Sequence, residues 1–245
     1  MTFTPTALVS VSLGDQAYNA LVEALMKGAL HGGDRIRIQE IAKKLGTSVT
    51  PVRDAVLRLV QDEALVMRNA RDIRVPSIAP EQYLEIRNVR LELEGLAAEQ
   101  AAMAATSADI ARLGALLRDD KAANERHDYA NLAALNQAFH TELANIGGAP
   151  ILLGVLRRLW TRTGPFIADA YRRGHRIDNE QHYAILQTLI DHDPRQARAA
   201  VHRDILEGSN AVLDAFRVET EATRGGGARA AKATPRRSRR AGTAL

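Results

Sequence analysis

Between Ile38 and Val75 the chain reads IQEIAKKLGTSVTPVRDAVLRLVQDEALVMRNARDIRV, and the order of its helix, turn and hairpin signals restricts it to few folds. Ile38, Ile41, Ala42 and Leu45 recur at helical spacing, and Gly46 supplies the residue just past a helix end, where φ is often positive. The first helix is therefore expected to stop at Leu45. Ser48 or Thr50 can cap the next one, and Pro51 fits a first turn because its missing N–H would have no intrahelical partner there. Val52, Val56, Leu57, Leu59 and Val60 give this second helix, about 49–62, an apolar stripe. With the hairpin that follows, the layout is a winged helix-turn-helix. Thr50, Arg53, Asp54 and Arg58 lie off the stripe, so the second helix offers hydroxyls, backbone N–H groups and an arginine to phosphates and guanine edges. Double-stranded DNA is the partner this pattern implies.

In Ile41-Ala42, Gly46, Ser48, Pro51-Val52-Arg53 and Ala55-Val56-Leu57-Arg58-Leu59 the chain resembles the GntR family of bacterial transcription regulators. The match spans roughly residues 12–76, the expected DNA-binding domain. The resemblance implies that Gln39, Ser48, Val49, Thr50 and Arg53 contact DNA, while a wing tip at Asn69 and Ala70, beside Arg71, enters the minor groove. Two departures bear on this. The family usually has Arg where this chain has Val49, which removes a phosphate or base contact or replaces it by apolar contact with a thymine methyl. It usually has Gly near positions 63 and 70, where this chain has Glu63 and Ala70; Arg68, Arg71 and Arg74 keep the wing basic. The bland alternative is a three-helix unit used for protein contact.

At 245 residues the chain is long enough for two compact parts. Aromatic residues make up only 4% while Ala and Leu abound, which favours helix over sheet. No stretch of about 18 apolar residues occurs and the N-terminus lacks a basic leader region, so a cytoplasmic protein with no membrane partner is expected. Zero Cys excludes disulfides and thiolate chemistry, leaving His, carboxylate or amide as metal ligands. The net charge of +4 is unevenly placed: residues 224–245 hold seven Lys/Arg and no acid, which leaves −3 on the remainder. A disordered basic tail over 222–245 is expected, either adding salt-sensitive phosphate contacts or simply solvated.

Beyond Pro76 the periodicity is helical throughout. Helices are expected from Pro80 to about Ala105, over 108–126 with Ser107 and Asp109 as cap, to about Ile146 before Gly147-Gly148, over 150–172, over 178–191 and over 194–217. Short connections make them mostly antiparallel, so the fold class is mainly α, a winged helix-turn-helix followed by a six-helix bundle over 80–218.

This half resembles the FCD effector domain found in the FadR-like branch of GntR regulators. The matching blocks are Val89-Arg90-x-x-Leu93-Glu94-Gly95-x-Ala97-Ala98, Asn136-x-x-Phe139-His140, Pro150-x-Leu152-Leu153 leading to Leu159-Trp160, and His182-x-x-Ile185. The resemblance implies a divalent-metal site, built in many such domains from Asp or Asn, a His four residues on, and two further His. Asn136 and His140 are i, i+4 and share a helix face. A helix climbing from His182 to the turn at Asp193 and a second descending from it return to the starting level at residue 204. Position 204 is Asp where the family usually has His. His202 is rotated by roughly 200° and points elsewhere on a regular helix. The expected set is Asn136, His140, His182 and Asp204, acceptable to zinc or nickel; the alternative is a metal-free polar cavity. His31, His127, His175, His192 and His202 are expected in loops or on exposed faces.

In the family the same cavity takes a small carboxylate effector, and Arg90 and Arg162 are the guanidiniums placed to hold one. Trp160 either covers the pocket or belongs to the core. There is no H-E-x-x-H, no phosphate loop, no G-x-S-x-G and no Cys nucleophile, so no enzyme activity is expected. Together these resemblances imply a homodimeric, ligand-responsive transcription regulator, with repression the commoner family mode. The alternative is an architectural DNA-binding protein that needs no effector.

Overall fold

The computed structural model describes residues 12–173 and 180–231, with side chains as far as Phe216. His175 and Asp178 lie outside the described residues. The chain opens with α1 (Leu13–Met26), whose N-terminus is capped by Ser12 accepting from the Asp15 amide. Ala17, Leu21, Val22 and Leu25 are the buried stripe of that helix. They meet Val52, Ala55, Val56 and Leu59 of α3 (Val49–Gln61), and α2 (Ile38–Lys44) adds Ala42 to the same core. The antiparallel hairpin β1 (Val66–Asn69) and β2 (Asp72–Arg74) closes the unit, with Ile36 donating to Ile73 and Val75 donating to Asp34 to attach the segment before α2.

Two positions where the family has glycine resolve differently. Glu63 adopts φ 57°, the left-handed conformation that a glycine would take without a Cβ penalty. Ala70 needs no such conformation, because Asn69 Oδ1 accepts from the Arg71 amide at 2.9 Å and turns the wing tip with its side chain.

Six further helices follow: α4 (Pro80–Ala104), α5 (Ser107–Glu125), α6 (Tyr129–Ile146), α7 (Pro150–Arg172), α8 (Glu180–Ile190) and α9 (Pro194–Ala231). Helices α4 and α9 pack along a seam of fully buried alanines that includes Ala98, Ala101, Ala197 and Ala200. Two expectations are corrected. The cap of α5 is Thr106, whose hydroxyl accepts from the Asp109 amide while Asp109 accepts from the Thr106 amide. Helix α9 runs to Ala231, past the end expected near 217. No helix among the described residues is long and apolar enough to cross a membrane.

The winged helix docks on its own bundle through α1 and α7. A Cβ at Gly164 would lie 2.7 Å from the Met26 Cα and 3.0 Å from the Leu25 carbonyl oxygen, so glycine is what permits this approach. Pro165 follows inside the helix and leaves the Thr161 carbonyl without its usual donor. Arg158 pairs with Asp62 and Arg162 with Glu63, both at 3.0 Å, across the same junction. Gly164→Ala is expected to cost about 1–3 kcal/mol, since the opposing atoms are backbone. An unchanged denaturation midpoint for that variant would show the two helices to be less closely seated.

Candidate functional site

Two surfaces carry the chemistry. On the winged helix, Gln39, Ser48, Thr50 and Arg53 are exposed while Val52, Ala55, Val56 and Leu59 face inward. Ser48 is the N-cap of α3 but makes no capping bond with its side chain, so its hydroxyl and the helix N-terminus remain available to a phosphate. Val49 is half-buried, and Asn69, Ala70 and Arg71 stand exposed at the wing tip. Arg58 belongs to a different surface: its guanidinium lies 4.1 Å above the Tyr18 ring and pairs with Asp15 at 2.6 Å, which fastens α3 to α1.

Inside the bundle, Tyr83 and Arg90 of α4, Asn136 and His140 of α6, Ile167 of α7, and Asp204 and Ser209 of α9 line a cavity of about 20 Å³. That is room for about one water molecule. His182 of α8 approaches the same point, with its ring stacked on Phe139 at 4.3 Å between centroids. His140 Nε2 is 3.2 Å from Asp204 Oδ2, and His182 Nε2 is 3.3 Å from Asp204 Oδ1. Asp204 thus faces both imidazoles, one with each carboxylate oxygen. His182 Nε2 is buried and has no hydrogen-bond partner, and potential ligand atoms of His140, His182 and Asp204 all fall within 4.8 Å of one another. The donor set and the orphaned nitrogen fit a borderline divalent ion.

Behind His140 stands a carboxylate that spacing arguments did not select. Glu94 is 2% exposed; its Oε1 accepts from Arg90 Nε at 2.6 Å and from Trp160 Nε1 at 2.8 Å, while Oε2 lies 3.2 Å from His140 Nδ1. That last pair is close but off the line of a good hydrogen bond, and both atoms otherwise lack partners. Burial alone would push the Glu94 carboxyl up, yet Arg90 and His140 outweigh it and hold it at about 2. Burial also opposes the His140 imidazolium, but Asp204 and Glu94 on its two sides raise it to about 9. For His182 burial dominates, with the His140 charge adding to it against Asp204, and its pKa falls to about 4. The i, i+4 spacing of Arg90 and Glu94 was a visible signal for their pairing; the reach to Trp160 and His140 was not.

The remaining candidates fall elsewhere. Arg90 borders the cavity, with its Nε engaged by Glu94. Arg162 does not: it turns to Glu63 at the junction with the winged helix, so it is no cavity guanidinium. Trp160 is a core residue, 1% exposed. His202 is half-buried rather than exposed, with Nε2 against the Leu91 carbonyl beside Gly95 of α4. His192 likewise reaches the Ala102 carbonyl.

Comparison with known proteins assigns both halves. Residues 13–75 match the bacterial regulatory proteins of the gntR family, and residues 85–207 match the FCD domain. The chain is 31% identical to the HTH-type transcriptional regulator McbR of Escherichia coli K12 over 206 residues, 83% of this chain and 93% of that protein. The solved structure of E. coli McbR superposes with a TM-score of 0.79, covering 84% of this chain and all of that one. A GntR regulator from Rhodococcus sp. RHA1, 18% identical, shares the fold at a TM-score of 0.69 over 84% of this chain and 99% of its own. A shorter match, 34% over 102 residues, covers 42% of this chain and 45% of the "Probable D-xylose utilization operon transcriptional repressor" of Paenarthrobacter nicotinovorans.

Removing the cation from beside a buried carboxylate is expected to be costly. Arg90→Ala should lose about 3–5 kcal/mol of stability, whereas Arg162→Ala, facing an exposed Glu63, should lose less than about 1 kcal/mol. Chemical denaturation of the two variants checks the contrast, and equal losses would contradict it.

Proposed function

The chain belongs to the gntR family of bacterial regulatory proteins, with an FCD domain after its winged helix, and from that premise we infer a metal-assisted repressor released by a small carboxylate. That it is a DNA-binding transcription regulator, not an enzyme, is established by the family and by relatives such as McbR. The finer reading rests on one observation: the cavity holding His140 and Asp204 is walled in part by α7, the helix that carries the winged helix on its other side.

Asn136, His140, His182 and Asp204 are the proposed ligands of a zinc or nickel ion, which when bound supplies a positive centre to the cavity. With neutral imidazoles, Arg90, Glu94 and Asp204 together carry one negative charge, so a divalent ion leaves one positive charge to be met. A carboxylate meets it, with Arg90 as the partner guanidinium. Because the cavity admits little more than a water molecule, such an effector has to part α4, α7 and α9. Movement of α7 then reaches the winged helix through Gly164, Arg158 and Arg162. Operator affinity changes by the difference in effector affinity between the two arrangements.

Gln39, Ser48, Val49, Thr50 and Arg53 are the proposed contacts to operator DNA, with Asn69, Ala70 and Arg71 at the minor groove. A homodimer is proposed to present two such units. Val89, Leu96 and Met103 lie exposed at seven-residue steps along α4, an apolar stripe suited to a second copy.

Arg53→Ala is expected to weaken operator binding by about 1–3 kcal/mol; unchanged affinity and sequence preference in a binding assay would contradict the assignment of α3. His140→Ala combined with His182→Ala should abolish stabilisation by zinc or nickel and leave DNA binding by metal-free protein intact. Thermal unfolding with each ion and a panel of organic acids reads this directly, since ligand at a hundred times Kd adds about 2.7 kcal/mol. Equal shifts in variant and wild type would refute the ligand set.

A further inference from the structure

The two oxygens of Glu94 face different elements. Oε1 is shared by two donors, the Arg90 Nε of its own helix and the Trp160 Nε1 of α7. Oε2 has His140 Nδ1 opposite it at 3.2 Å and no other partner. Glu94 is not one of the converging ligand atoms, which come from His140, His182 and Asp204. It stands on the far edge of the His140 ring from them. An imidazole bound to a metal through one nitrogen keeps a single ring proton, on the other nitrogen, and an ionised carboxylate only accepts. A carboxylate at Nδ1 therefore keeps that proton there and leaves the Nε2 lone pair on the side of Asp204 and His182.

We propose that Glu94 is a positioning residue: it holds the His140 ring with Nε2 directed at the ligand cluster and, through its shared carboxylate, joins that ring to Trp160 on α7. The inference rests on the metal reading above and adds to it the residue that orients one ligand and a route by which α7 senses the site. A hydrogen-bonded carboxylate behind a metal-bound imidazole fixes tautomer and ring orientation, and its loss typically weakens metal binding by about 10–100-fold.

Glutamine has nearly the same shape but offers one acceptor and one donor group. With its oxygen toward Arg90 and Trp160, its amide donates to His140 Nδ1 and moves the imidazole proton to Nε2, where it blocks coordination. With its oxygen toward His140, the amide meets two other donors. Neither orientation reproduces the carboxylate.

The test uses the full chain, titrated with zinc and with nickel against a chromophoric chelator while Trp160 emission is followed; Trp160 is the only tryptophan. In the wild type the emission should change and saturate with the same midpoint as metal uptake. Glu94→Gln should bind either ion about 10–100-fold more weakly. An affinity within twofold of wild type overturns the role of Glu94, and emission indifferent to metal overturns the link to α7. Should the variant fail to fold, imidazole nitrogen spectra of the zinc-loaded wild type decide the matter: His140 should carry its proton on Nδ1 and coordinate through Nε2, and the reverse overturns the proposal. A wild type that binds neither ion overturns this inference together with the metal reading, an outcome visible before any variant is compared.

Discussion

An ionised carboxylate buried among helices is tolerated only if charge and hydrogen bonds surround it, and Glu94 imposes that condition on the interior of this bundle. Its requirements fix three helices at once: Arg90 one turn back on α4, Trp160 on α7 and His140 on α6. Well-packed apolar residues in place of such a pair are often as stable or more so. What they lack is direction. An apolar contact leaves an imidazole free to turn, whereas a carboxylate at Nδ1 commits Nε2 to the opposite side, where Asp204 and the orphaned His182 nitrogen stand.

Helix α7 stands between two environments that the rest of the fold keeps apart. Trp160 and Ile167 belong to the bundle interior and the cavity wall, while Gly164 lies under the end of α1, Ala168 meets Gly28 just past it, and the Arg158 and Arg162 guanidiniums reach Asp62 and Glu63 in the turn after α3. Each ion pair at that junction has one exposed partner, Arg158 or Glu63, which limits what it contributes by itself. The close backbone approach at Gly164 is different, because two backbones with no side chain between them move together or separate. Ligand pockets usually measure about 300 Å³ or more, against about 20 Å³ here. On the proposed reading, an effector larger than a water molecule would have to displace the wall that Ile167 of α7 contributes.

Periodicity and capping chemistry carried the fold far into view. Gly46, Pro51, Gly147-Gly148 and Pro150 mark helix ends by local backbone rules, and the observed helices begin or stop within a residue or two of them. Where the sequence misled, a competing local choice won: Thr106 rather than Ser107 caps α5 because its hydroxyl and Asp109 satisfy each other's amides. For the cavity, helix rise along α8 and α9 was enough to put His182 level with Asp204, since both helices are regular. Rise says nothing about which side chain of a third helix stands behind a ring. Glu94 and Trp160, 66 residues apart, meet only through the packing of α4 on α7. Arg162 shows the same limit: its place near the Trp160 block suggested the cavity, but the helix phase turns it outward to Glu63.

Glu63 itself shows how a departure from the family pattern is absorbed. A glycine there meets the left-handed turn without strain; glutamate pays about 1 kcal/mol in backbone conformation and gains a carboxylate facing Arg162 at the domain junction. The departure at Asp204, and the choice of amide over acid at Asn136, act through charge instead. Arg90 and Glu94 cancel, so the cavity's formal charge is set by Asp204 and whatever cation joins it. A divalent ion overcompensates a single carboxylate, and an anionic effector restores balance, so on this reading each ligand makes the other's binding more favourable. Linkage requires that effect to be reciprocal: the acid must tighten the metal by the same factor by which the metal tightens the acid. A second acidic ligand at 136 would remove the excess charge and with it the mutual dependence, which makes the amide at that position a determinant of coupling as much as of affinity.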